Sequence, residues 1–149
     1  MTHETSSIET LRQNVFANIY TLVNDNKPSG WTVLSSYPET TISSSIPFPF
    51  IIINSANVKP TIVGMDKNSY IVEDIKVEIE FFCKAIKGND QLDRGRDNVM
   101  NTLLTKQSTL ETYNLYLNED AFDDSTTDVF VSGNEKIRTG ASIVSMGLL

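Results

Sequence analysis

The chain has 149 residues, of which 40% are hydrophobic and 21% charged; this is far from a disordered polypeptide and suits one domain with a substantial core. Its net charge of −7 argues against a general nucleic-acid binder, since that affinity comes mainly from Lys and Arg neutralising phosphates, and no basic run occurs. No apolar stretch is long enough to cross a bilayer, and the start MTHETSSIET lacks the basic and apolar regions of a signal peptide. The expectation is therefore an aqueous, reducing compartment, or carriage as part of a particle.

One domain is expected over residues 1–149, with residues 1–5 a flexible terminus. Ser6, Ser7, Ile8 and Glu9 read as a capping box. Ile8, Leu11, Val15, Ile19 and Leu22, widened by Phe16 and Val23, then form the stripe of an amphipathic helix of four or five turns. The helix should stop near residues 24–26, ahead of Pro28 and Gly30. Residues 31–36 suggest a short strand. The Ser/Thr/Pro-rich stretch 37–49 reads as an extended connection, because its three prolines cannot donate to a ladder. Phe50, Ile51, Ile52 and Ile53 form a continuous apolar run, as in a strand buried on both faces.

Residues 58–75 suggest a projecting hairpin with Val63, Gly64 and Met65 near its tip. Two readings stand: a hairpin packed on its own sheet, or an arm that docks on a neighbouring subunit. Residues 70–106 are the expected centre, a long strand, a Gly88-Asn89-Asp90 turn that caps a helix, and the helix itself. Ile75, Val77, Ile79 and Phe81 alternate with Lys76, Glu78 and Glu80, giving one dry and one wet face. Cys83 falls on the dry phase and reads as a small buried hydrophobe, with a reactive thiol as the other reading.

In the second helix Leu92, Gly95, Val99 and Leu103 share a face that Met100 and Leu104 widen; close approach of helix to sheet is the expected reason for Gly95. Residues 109–117 fit either a continued helix or a strand, and the alternation of Tyr113, Leu115 and Leu117 favours the strand. An acidic loop is expected at 119–128 and a brief extended segment at 126–131. A closing strand should follow over 137–146, with Ile137, Thr139, Ala141 and Ile143 in phase. The class implied is α+β: a mixed, mainly antiparallel sheet with the N-terminal helix and a second helix on one face.

Chemical motifs are sparse. His3 is the one histidine, in a terminus expected to fray, so histidine-based catalysis or zinc ligation has no second histidine to use. The acidic run from Asn118 to Asp124 lacks the alternating ligands and glycine of an EF-hand loop and reads as a solvated loop ahead of a calcium site. Asp93 and Asp97, flanked by Arg94 and Arg96, suggest surface ion pairs. Nucleotide-binding, nucleophile-elbow and C-x-x-C motifs do not occur. No catalytic residue, cofactor or metal is expected.

The order of elements nonetheless carries a likeness. An amphipathic helix leads through a Pro/Ser-rich link into Ile46-Pro47-Phe48-Pro49-Phe50-Ile51-Ile52-Ile53-Asn54; a long amphipathic strand, a Gly-Asn-Asp turn, a helix and a C-terminal strand follow. That pattern resembles the tail terminator, or tail-completion, proteins of long-tailed bacteriophages and related archaeal viruses. The resemblance implies a non-enzymatic virion protein, assembled in the host cytoplasm into a ring, usually a hexamer. Such a ring caps the tail tube, stops its growth and meets the head connector; genomic DNA passes through it without specific binding. Under this reading Ile62, Val63 and Met65 in the arm, and Tyr37, Ile46 and Phe48 in the link, are the candidate subunit or partner contacts. Lys76, Glu78 and Glu80 are the candidate channel-facing residues. Another neck or head-completion adaptor is the near alternative, and a small ligand-binding or enzymatic domain the distant one.

Overall fold

A computed structural model describes residues 2–4, 8–35, 48–62, 69–124, 128–132 and 134–149. The elements in order are β1 (Thr2–Glu4), α1 (Ile8–Asp25), β2 (Thr32–Leu34), β3 (Phe50–Ile53), β4 (Asn57–Ile62) and β5 (Ser69–Lys84). A 3-10 turn (Ala85–Lys87) leads to α2 (Gly88–Thr105), α3 (Gln107–Thr112), β6 (Leu115–Asp124), β7 (Asp128–Ser132) and β8 (Glu135–Leu148). The described strands make one sheet in the order β2-β3-β5-β8-β6, with β1 and β4 also on β5 and β7 also on β8. Only β2 and β3 run parallel among the described pairs. The class is α+β with a mixed, mostly antiparallel sheet, as the alternation and apolar stripes imply.

The two longest strands, β5 and β8, form the spine. Their ladder runs from Ile75↔Met146 to Lys84↔Ile137. Directly paired residues point to the same side of a sheet, so Ile75, Val77, Ile79, Phe81 and Cys83 share the helix-facing side with Met146, Val144, Ser142, Gly140 and Arg138. The helices cover that side. From α1 come buried Val15, Ile19, Leu22 and Val23; from α2, Leu92, Val99 and Leu103; from α3, Leu110. Burying a leucine such as Leu92 or Leu103 contributes about 1.5–3 kcal/mol. The Tyr20 hydroxyl donates to the Val33 carbonyl at 3.1 Å, which ties α1 to β2.

The opposite side of the sheet is not wet throughout. Phe50, Ile52, Phe82 and Ile137 form a second buried cluster there, with Leu34, Phe48 and Phe130 packed on it. Phe50 and Phe82 stack at 4.8 Å between centroids, and Phe130 meets Phe82 edge-on at 6.4 Å. Two clusters explain why all four residues of β3 are buried: alternate side chains feed opposite faces and both faces are covered.

Several local expectations change. Residues 107–112 are helical, and the strand begins only at Leu115; Asn114, at φ 62°, supplies the left-handed step that ends the helix. The expected acidic loop at 119–128 is mostly strand, because β8 offers an open edge along which β6 and then β7 pair. Gly88, Asn89 and Asp90 lie already inside the first turn of α2, after the 3-10 turn, instead of capping it from outside. Ile137, Thr139, Ala141 and Ile143 do share a face, but it is the one turned away from the helices; Val144 and Met146 carry the main core phase. Leu104 is 45% exposed, and Thr102 takes the buried place instead. Thr2–Glu4, where fraying is expected, pair with residues 69–71 of β5 as β1.

Candidate interaction surfaces

The expected hairpin exists as a ladder within the sheet. β4 runs antiparallel to the first half of β5, from Asn57↔Lys76 to Ile62↔Tyr70. Its register shifts between Lys59 and Pro60, where proline brings no N–H to the ladder. Ile62, at the end of β4, is 69% exposed. Val63, Met65, Tyr37 and Ile46 lie outside the described residues. Phe48 is half-buried, with its ring 5.2 Å from that of Phe50, so it is engaged in the second cluster.

Lys76 and Glu78 are exposed on the side of the sheet away from the helices, and Glu80 follows half-buried. Lys76 Nζ approaches Asp74 Oδ2 at 3.8 Å, an exposed pair of little energetic weight. Asn57, Lys59, Asp74 and Lys76 line a shallow depression on this charged band. Asn54 Nδ2 donates to Glu80 Oε1 at 3.0 Å, and burial pushes the Glu80 carboxyl above its ordinary pKa. Along β5 the outer face therefore passes from charged groups to a half-buried carboxylate and then to the aromatic cluster.

A second feature combines residues far apart in sequence. Arg138 shares the helix side of the sheet with Cys83 and with Val129 of β7. Its Nη1 donates to Asn89 Oδ1, in the first turn of α2, at 3.0 Å. Arg96 reaches inward over Gly140, so that a Cβ there would collide with its guanidinium. The surface ion pairs expected for Arg96 are not found among the described residues. The reason is geometric, since Gly95 faces the core and turns its neighbour Arg96 toward β8. Arg96 Nε and Nη2 and Arg138 Nε are buried without an acceptor. No sequence run announces this corner, because its arginines are 42 positions apart (138 minus 96) and come to one side of β8 only through α2 packing on it.

A cleft of about 400 Å³ opens between α1 and the turn from α3 to β6, lined by Asn14, Asn18 and Asn114 over Leu11, Val15 and Leu148. Cys83 is fully buried; burial raises its thiol pKa and the positive charge of Arg138 opposes that in part. Among the described residues no group of three or more His, Cys, Asp or Glu is placed to hold a metal, and no helix is long and apolar enough to cross a membrane. No protein-family model matches the chain, and no curated protein matches its sequence.

Proposed function

We propose that this chain is a virion assembly subunit that closes with its own copies into a ring, caps the tail tube at its head-proximal end and meets the head connector. The order of elements supports the reading through its likeness to tail-completion proteins. The observation that carries it is the placement of exposed apolar side chains on unlike flanks of the sheet. Ile62 projects from β4, beside β5, at 69% exposure; Val129 and Val131 project from β7, beyond β8, at 44% and 65%. Head-to-tail closure by rotation needs two different lateral surfaces of this kind, and exposed apolar groups mark such surfaces.

In this arrangement the outer face bearing Lys76, Glu78 and Glu80 lines the channel, where a wall without strong positive charge lets DNA slide past. A neck adaptor would use the same flanks and differ in binding the portal instead of the tube. The asparagine-lined cleft favours the ligand-binding alternative, which predicts a monomer that retains a small molecule.

The test is native mass spectrometry with negative-stain microscopy of the purified protein, alone and with tail tubes. Closed rings that seat on tube ends, and that are lost in Ile62→Asp, are the expected result. A monomer that ignores tubes overturns the proposal. Reversing Glu78 and Glu80 to lysine should slow DNA ejection from particles, and unchanged ejection removes their channel role.

A further inference from the structure

We infer that the corner formed by β7, the start of β8 and the first half of α2 receives the acidic β6 strand of a second copy of this chain. The inference rests on the assembly reading and names one of its contacts. Lys136 and Arg138 stand on the helix side of β8, opposite Val131 and Val129 of β7, and Arg96 reaches the same side over Gly140. The corner thus gathers three positive charges in a chain whose net charge is −7.

Neither arginine has a carboxylate within ion-pair distance among the described residues, and three of their buried nitrogens lack any acceptor. A half-buried guanidinium without a counter-charge is costly, and a carboxylate brought to its open edge relieves that cost. The occupant needs acidic groups and an apolar surface together. Val131 and Val129 are largely exposed beside the charges, and Ile86, in the 3-10 turn that touches β8, is 89% exposed. A phosphate backbone has nothing to set against those side chains; a protein strand has.

The chain carries such a strand itself. No Lys or Arg occurs between Lys106 and Lys136, whereas Glu119, Asp120, Asp123 and Asp124 all lie in β6. The register there shifts between Leu117, opposite Met146, and Phe122, opposite Val144. Residues 118–121 therefore bulge against Ser145 alone, and the bulge presents Glu119 and Asp120 to solvent. Each copy offers both a basic corner and an acidic bulge along the same edge of β8, beside the Val129 and Val131 flank, so each copy both gives and receives the contact.

The experiment uses the full chain and exposed positions only: Lys136→Glu, Val131→Asp, and the double variant Glu119→Lys with Asp120→Lys, each checked for native circular dichroism. Sedimentation velocity at low and high salt reads self-association, and fluorescence anisotropy reads binding to duplex DNA. The expected result is self-association of the wild type that weakens with salt, at least about tenfold weaker in each variant. Mixing Lys136→Glu with the β6 double variant should restore the contact between unlike copies, since the corner of each then meets an oppositely charged bulge on the other while like copies repel; the combined variant carrying all three reversals should regain it alone. Wild-type association left unchanged by every substitution overturns this contact while the assembly reading stands. A wild type that is monomeric at every salt and concentration, with and without tubes, overturns both. Salt-sensitive DNA binding lost in Lys136→Glu, with association unchanged, reassigns the corner to a polyanion.

Discussion

Trp31 and Gly95 meet at the point where α2 comes down on the sheet: a Cβ on Gly95 would lie 2.7 Å from Trp31 Cζ2 and closer still to Cη2. The glycine in the helix is required by an indole and not by sheet backbone. Gly95→Ala gains about 1 kcal/mol of helix propensity but must displace a buried ring, at an overpacking cost of about 1–3 kcal/mol. The net expectation is a lower Tm, with Gly95→Val lower again. Thermal unfolding of the two variants is the check, and a stabilised alanine variant contradicts the contact.

The aromatic cluster on the outer face stabilises the sheet independently of the helices. Phe82 touches both Phe50 and Phe130. Phe82→Ala should cost about 3–5 kcal/mol in urea unfolding, whereas Phe82→Leu should retain most of that. A loss below about 1 kcal/mol in Phe82→Ala would mean that the cluster is not closed in solution.

Glu80 gives the outer face a defined pH response. Burial raises its folded-state pKa above the unfolded value, so the folded protein holds the proton more tightly. That contribution favours folding at pH below the ordinary glutamate value and is lost as pH rises through the raised one. Glu80→Gln removes the titration and keeps an acceptor for Asn54. The variant should gain on wild type as pH rises from acid to neutral, measured by urea unfolding across that range. Parallel stability curves for the two proteins would show that Glu80 is not desolvated.

Cys83 should be slow to react with an aromatic disulfide reagent in the folded protein and fast once guanidinium exposes it. The cause is twofold: the thiol is fully buried, and its pKa is raised by that burial. Native reactivity equal to that of a free thiol would revive the reactive reading.

Much of this fold is legible in the sequence. The period of 3.6 in residues 8–23 marks α1, and the period of two from Ile75 to Phe81 marks β5, because each reports a single buried face. Phe50 to Ile53 likewise announce a strand covered on both sides. The candidate contacts are less legible. Ile62 emerges exposed at the end of β4, yet Phe48, which reads as an equivalent apolar group in a polar link, is engaged with Phe50.

By itself the sequence determined the class, the central strand and helix, the burial of Cys83 and the hairpin that leads into β5, since these follow from local periodicity and composition. Tertiary structure alone decided the rest. It turned residues 119–124 from acidic loop into edge strand, because β8 had donors and acceptors to offer there. It set Gly95 against Trp31, 64 residues away (95 minus 31), and brought Arg96, Lys136 and Arg138 to one corner. Pairings of that kind depend on which faces meet after the chain folds back, and no local pattern encodes them.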